Sequence, residues 1–427
     1  MKTFWLSIRL FWKRPIANCV LALELAAISI LTVIFGNIFQ YSQSCINVFT
    51  TSSSRVLFCS NTVPPQPDAI TMDSRNAYTA KIKQLQKKYP FIKGYSMFNT
   101  SDLALDAESI TNLVQNSQSI PTTRGSHVLL YDNATIESLH FSLSSGKWLG
   151  TSLVDGKIPC VIGGIYAKRF HVGDTLPGYT FLCNDNGRVR AIPKQDFVVT
   201  GILSLPQLTP DLNFSSSVTD RASAFFDDMT NYSMFLIAPS QLYKGVRTSG
   251  IESQSSFLYL DRSATTDQIE QVRAEFGRGF TELDTEMITA EQADKLQTLQ
   301  TMMPFLITFF LVVFLGLVSM SMLTTMKNLR LFKVYYLTGC PRKQILQMLL
   351  WYMLFYLILA GALFTVVFAA LQHTEFHMAF ALRAYFIVQP QAVLWILLIC
   401  AIVIVCSLLA PYLILQKNDL AALLRKE

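Results

Sequence analysis

Charge is what this 427-residue sequence has least of. Asp, Glu, Lys and Arg make up 15% of it, against roughly 25% in an ordinary soluble protein. The hydrophobic share is 51% and the mean hydropathy is +0.35, which excludes an ordinary soluble enzyme. The formal charge of +6 does not indicate a nucleic-acid partner, because no basic stripe interleaved with aromatics occurs. The Lys and Arg outside residues 42–300 sit beside apolar segments, where they carry topology information. A phosphate-cradling loop is missing as well. It requires a Lys followed by Ser or Thr, whereas Gly146-Lys147 and Gly156-Lys157 are followed by Trp148 and Ile158. No Ser/His/Asp, Cys/His or paired-carboxylate pattern stands out. The chain is therefore expected to be non-catalytic and to bind neither metal nor cofactor. His373 and His377, with Glu375 between them, lack an evident third ligand. Polar residues at a membrane interface account for them better.

Long apolar runs are what the sequence does have. Residues 17–41, 305–326, 346–371 and 392–415 are each long enough to cross a hydrocarbon core of about 30 Å, which takes roughly 20 helical residues. No small-residue cleavage site follows the first run, so it reads as a retained span. Lys2, Arg9, Lys13 and Arg14 precede the first run, and Lys327, Arg330, Lys333, Arg342 and Lys343 fill the loop 327–345. Lys417, Arg425 and Lys426 follow the fourth run, while loop 372–391 holds only Arg383. The positive-inside rule then puts both termini and loop 327–345 in the cytoplasm and residues 42–300 outside. Residues 1–16 carry Phe4, Trp5, Ile8, Phe11 and Trp12 at helical spacing, which predicts a cytoplasmic amphipathic helix lying on the inner leaflet as a simple anchor. Glu24 falls inside the first span, where snorkelling or burial against another helix explains a carboxylate better than ion transport does.

The expected fold is a polytopic α-helical membrane protein. It has four transmembrane helices arranged one plus three, with a large α+β extracytoplasmic domain. Helices at 76–89 and 266–276 alternate with strands at 91–98, 256–260 and 280–283, which suggests a split α/β subdomain formed by residues 42–138 and 240–285. Residues 139–239 hold short β runs punctuated by Gly and Pro, indicating an inserted β-rich subdomain in which 206–228 reads as an exposed, mobile loop. A helical stalk, 286–304, leads to the second span, and 416–427 is a cytoplasmic tail. Cys45, Cys59, Cys160 and Cys183 lie outside, where disulfides persist. Cys45–Cys59 and Cys160–Cys183 are the favoured pairs because each closes a short loop; free buried thiols are the alternative.

Three stretches resemble the FtsX/MacB family of ABC-transporter permeases, the mechanotransmission type. The first runs through Gly146-Lys147-Trp148-Leu149, Val161-Ile162-Gly163, Phe170-His171-Val172-Gly173-Asp174-Thr175-Leu176 and Phe197-Val198-Val199-Thr200-Gly201-Ile202-Leu203, in the order of the family's outer core domain. The second, Leu337-Thr338-Gly339-Cys340-Pro341-Arg342-Lys343-Gln344-Ile345, is similar to its short cytoplasmic motif. The third is the tail Asp419-Leu420-Ala421-Ala422-Leu423-Leu424-Arg425. Departures from the pattern are Leu331 and Lys333 where an acidic residue and a glycine are usual, Thr338 for leucine and Cys340 for alanine.

The resemblance implies a dimer of permease subunits, identical or not, on a separate cytoplasmic ABC ATPase dimer that uses ATP and Mg. Arg330, Lys333, Gly339, Cys340, Pro341, Arg342, Lys343, Gln344 and Ile345 would then couple to that ATPase. The cargo would be a peptide or amphipathic substrate expelled by the outer domain, with membrane lipid around the spans and no nucleic acid involved. A bacterial plasma or inner membrane is the implied home. A lipoprotein-releasing permease, or an FtsX-like signalling subunit that controls an extracellular cell-wall hydrolase, is the alternative. An ectoenzyme on a membrane anchor has no site to support it.

Overall fold

The computed structural model describes residues 2–13, 15–60, 72–96, 99–105, 126–164, 166–180, 182–183, 189–210, 221–228, 234–245, 248–249, 255–277, 280–339, 341–373, 388 and 390–417. They fall into two units, Phe39–Lys295 and Met1–Ile38 with Leu296–Glu427. In chain order the helices are α1 (Lys2–Trp12), α2 (Pro15–Thr50), α3 (Met72–Lys88), α4 (Asn133–Ser138) and α5 (Tyr166–Arg169). They continue with α6 (Thr266–Phe276), α7 (Asp284–Lys327), α8 (Leu329–Leu337), α9 (Arg342–His373) and α10 (Pro390–Lys417).

Unit Phe39–Lys295 is built on two sheets. The smaller is antiparallel, in the order β16 (Thr281–Leu283), β1 (Arg55–Ser60), β15 (Ser255–Leu260), β2 (Ile92–Ser96). Successive strand residues point to opposite faces, and here both faces are buried. Leu57 and Cys59 of β1 meet Tyr78, Ile82 and Leu85 of α3 and Ile269 and Val272 of α6 on one side. Val56 and Phe58 turn to the other side, toward Phe225, Phe257 and the Cys45–Phe49 end of α2. Helix α6 begins at Thr265, whose hydroxyl caps Gln268 while the Gln268 side chain returns the bond.

The larger sheet runs β14 (Thr248–Ser249), β3 (Asn99–Leu103), β4 (Ser126–Tyr131), β13 (Met234–Pro239), β6 (Ile158–Gly164), β10 (Lys194–Leu203), β5 (Leu143–Gly146), with β7 (Thr175–Tyr179) also on β10. The β4–β13 and β6–β10 pairs are parallel. Leu129, Tyr131, Val161, Phe235 and Ile237 face the same apolar cluster as Phe58 and Phe257, so one core lies between the sheets. Leu130, Cys160, Ile162 and Phe197 fill a separate cluster on the opposite face. Gly146 has φ +85 and sits opposite Gly201; a Cβ there would come within 2.2 Å of the Thr200 carbonyl oxygen. Two short ribbons complete the unit, β8 (Leu182–Cys183) with β9 (Val189–Ala191) and β11 (Leu208–Pro210) with β12 (Phe226–Asp228).

Three expectations change. Strands β3, β4 and β14 belong to the larger sheet, so the inserted β-rich part extends beyond 139–239 on both sides. The described ends of segment 206–228 are largely buried, because Leu208, Phe225 and Phe226 are core residues and β11 pairs with β12; residues 211–220 lie outside the described ones. Neither favoured disulfide is formed. Cys59 is a free thiol on the face of β1 turned away from the cluster that holds Cys45, and Cys160 is a free thiol buried on β6.

Unit Met1–Ile38 with Leu296–Glu427 gathers the apolar helices. Helices α2, α7, α9 and α10 are each long and apolar enough to cross a membrane, and they contain the four runs expected from sequence. Leu25 of α2, Val313 and Leu317 of α7, Tyr352 of α9 and Val403 of α10 share one cluster. Ser321 Oγ donates to the Ser407 carbonyl oxygen at 2.8 Å, tying α7 to α10. Helix α1 packs on this unit with one side. Leu10 and Phe11 are buried in the same cluster, and Phe4 stacks edge-on against Trp351 of α9 at 5.2 Å. Part of its apolar face is therefore occupied by protein, while Trp5 and Trp12 point outward, 64% and 66% exposed.

Candidate functional site

The segment expected to couple is a helix followed by a sharp turn. Helix α7 stops at Lys327, and Asn328 bridges the break, donating from Nδ2 to the Thr324 carbonyl at 2.8 Å and accepting from Phe332 N–H at 2.9 Å. Helix α8 is pinned by Phe332, fully buried in the cluster of its unit, and by Tyr335 packed beside it. Arg330 is exposed.

At its far end Thr338 N–H reaches the Val334 carbonyl at 3.0 Å, and Thr338 Oγ donates to the Tyr335 carbonyl at 3.0 Å. Gly339 then takes φ +91 with nothing within 4 Å of a Cβ, so backbone conformation rather than space requires glycine there. Pro341 precedes α9, and its carbonyl accepts from Gln344 N–H at 2.9 Å in the first turn. Ile345 is fully buried beside Met348 and Leu349, while Lys343 and Gln344 are exposed. The outcome is a ledge with Ile345 as its root and Lys343 and Gln344 on its surface. Cys340 and the side chains of Lys333 and Arg342 lie outside the described residues, as do Glu375, His377 and the tail from 418.

The other end of α7 is bonded into unit Phe39–Lys295. Asp284, at the first position, accepts from Val56 N–H of β1 at 3.1 Å. Glu286 accepts from Leu283 N–H at 3.0 Å and pairs with Arg273 of α6, whose guanidinium also meets Glu270 at 3.0 Å. Glu270, Arg273 and Glu286, with Thr281 and Glu282, line an open cleft of about 390 Å³. Glu291, one turn further along, is 3% exposed and accepts from Ser223 N–H at 2.9 Å and Ser223 Oγ at 2.6 Å. Asp294 pairs with Arg221 at 2.9 Å, and Tyr41 Oη of α2 donates to the carbonyls of Ser223 (3.2 Å) and Phe226. Segment 221–226 thus serves as a common clamp for the two helix ends that enter this unit.

Sequence reasoning finds the Gly339 turn but not this clamp, because Glu291 reads as one more polar position on an amphipathic helix. Nor does it find Asn18, a fully buried amide near the start of α2. Glu24, which it does single out, is half-buried and forms no ion pair among the described residues. No group of three or more His, Cys, Asp or Glu among the described residues is placed to hold a metal ion.

No protein-family model matches the chain, and no curated protein matches it. Among solved structures, the crystal structure of the periplasmic region of MacB from Actinobacillus actinomycetemcomitans is similar to it. Identity is 11%, with 57% of this chain and 94% of that one covered, at a TM-score of 0.27. A score of that size does not assign a fold.

Proposed function

We propose that this chain is the permease subunit of an ATP-driven export complex, in which motion of a separate cytoplasmic ATPase is passed to an extracytoplasmic domain that expels peptides or amphipathic molecules. The observation that carries the reading is α7. It is one helix of 44 residues, bonded to β1, α6 and segment 221–226 at its start and ending at a helix and turn that present basic groups. An α-helix rises 1.5 Å per residue, so α7 is long enough to cross a hydrocarbon core and reach well beyond it. In this reading both termini and the Gly339 turn are cytoplasmic and Phe39–Lys295 is outside, following the Lys/Arg distribution.

The exposed basic groups near the turn, Arg330 and Lys343, together with Arg342 and Lys333, suit an acidic groove on the ATPase. ATP and Mg would be bound by that partner and not by this chain. The FtsX-like alternative uses the same stroke to activate an outside hydrolase without moving cargo. Reconstituting the full chain with the ATPase that co-purifies with it tests the reading. Arg342→Glu is expected to leave the chain folded but to weaken complex assembly and the ATPase activity that depends on it. Assembly and activity equal to wild type would remove the coupling role. Stimulation of ATP hydrolysis by added amphipathic peptide would favour export over hydrolase control.

A further inference from the structure

We infer that Asn18 is a positioning residue that locks α1, the start of α2 and the first turns of α9 into one body, so that displacement at the Gly339 turn is carried into the first span. This rests on the coupling reading above. Asn18 is fully buried and uses both ends of its amide. Nδ2 donates to the Phe11 carbonyl, one of the last carbonyls of α1, which have no partner within their own helix. Oδ1 accepts from Tyr356 Oη at 2.5 Å and from Tyr352 Oη at 3.2 Å, and the two hydroxyls are 2.9 Å apart. One side chain therefore satisfies polar groups from two other elements. Rings close around it, with Phe11 5.2 Å from Tyr356 and 5.8 Å from Tyr352. Ser7 Oγ adds a bond to the Met348 carbonyl at 2.9 Å.

The geometry joins this lock to the turn. Ile345, Met348, Leu349, Tyr352 and Tyr356 are all buried and recur at the three- and four-residue intervals of one helical face. Over the eleven residues from Ile345 to Tyr356 the helix axis advances about 16 Å, so the root of the ledge and the lock lie on one short, stiff rod. In apolar surroundings an amide stripped of its partners has no water to fall back on. The lock therefore holds or breaks as a unit, whereas a purely apolar contact could slide.

Amide deuterium exchange on the full-length chain in lipid nanodiscs tests this, first alone and then with the co-purifying ATPase bound to a non-hydrolysable ATP analogue. In the chain alone, Asn18→Leu should speed exchange in residues 2–12 about tenfold while α10 is unchanged. Tyr356→Phe, which alters shape least and guards against misfolding of the first variant, should do the same to a smaller degree. On adding the nucleotide-loaded ATPase, wild type should change protection in 342–356 and 15–25 together. Asn18→Leu should change it in 342–356 only. Unaltered exchange of α1 in both variants, or a response of 15–25 that persists in Asn18→Leu, would overturn the inference. A wild type that binds the ATPase yet shows no response at 342–356 would sink the coupling reading, and transmission with it, even if Asn18→Leu still loosens α1.

Discussion

Single residues in unit Phe39–Lys295 answer a question that spacing left open. Four cysteines outside the spans were compatible with two bridges or with buried thiols, since loop length alone cannot tell which face of a strand a sulfur occupies. Cys59 and Cys160 are both buried, and desolvation pushes each thiol far above its ordinary range. A thiol that cannot ionise is a poor nucleophile. Iodoacetamide applied to the native full-length chain is therefore expected to leave both unmodified. After denaturation without any reductant both should be alkylated, as read by peptide mass spectrometry. Resistance to alkylation after denaturation would mean the bridges exist.

Asp261 carries the opposite kind of shift. The N–H and hydroxyl of Ser263, with Lys93, hold its carboxyl down at about 2. A carboxylate with a lowered folded-state value contributes stability that is complete above its ordinary titration range near 4 and is lost as pH falls toward 2. Carbon-detected NMR should find Asp261 still ionised at pH 3, and Asp261→Asn should flatten the acid limb of the stability curve between those two values. A titration midpoint near 4 would show that the Ser263 bonds do not persist in solution.

Among elements, those with a period of their own were legible and those defined by a partner were not. The helices at α3 and α6 and strand β10 have amphipathic or alternating patterns that a local window detects, and β6 and β13 are short apolar runs punctuated by Gly or Pro. Strand β1 is buried on both faces, so it shows no alternation. Strands β3, β4 and β14 join the larger sheet through pairings with distant segments, and nothing within each run records its partner. Helix α1 reads from its sequence as a membrane anchor alone, because an apolar stripe looks the same whether lipid or another helix covers it. The turn at Gly339 was legible, since glycine and proline mark breaks directly. Its support Phe332 was not, and Ile345, read from sequence as a coupling residue, is buried at its root.

The start of α7 supplies the element-scale test. Glu291 is buried and accepts from both the N–H and the hydroxyl of Ser223, and losing a buried acceptor that leaves such donors unpaired costs about 1–3 kcal/mol. Glu291→Ala should therefore destabilise the chain by about 2 kcal/mol, and Glu291→Gln, which keeps an acceptor oxygen, by less. Differential scanning of the detergent-solubilised chain measures both. Equal melting of Glu291→Ala and wild type would show that segment 221–226 does not clamp α7.

If the proposed function holds, the decisive property of the whole molecule is the stiffness of α7, because a bonded start and a basic far end communicate only if the helix between them bends little. Gln300 is exposed and lies between the two, so its side chain contributes little packing. Proline at that position removes a backbone N–H and crowds the carbonyl four residues earlier, which kinks a helix interior at a cost of about 3 kcal/mol. Gln300→Ala keeps the helix and serves as the control. In a reconstituted complex, Gln300→Pro is expected to bind the ATPase and support its hydrolysis near the wild-type rate while substrate movement, or activation of an outside hydrolase, falls at least tenfold. Gln300→Ala should match wild type in both assays. Pro304 already lies within α7, four residues on, so a tolerated kink is the competing possibility. Full output from the proline variant would mean that the two ends of α7 do not communicate through its backbone, and force would have to reach unit Phe39–Lys295 through α2 instead.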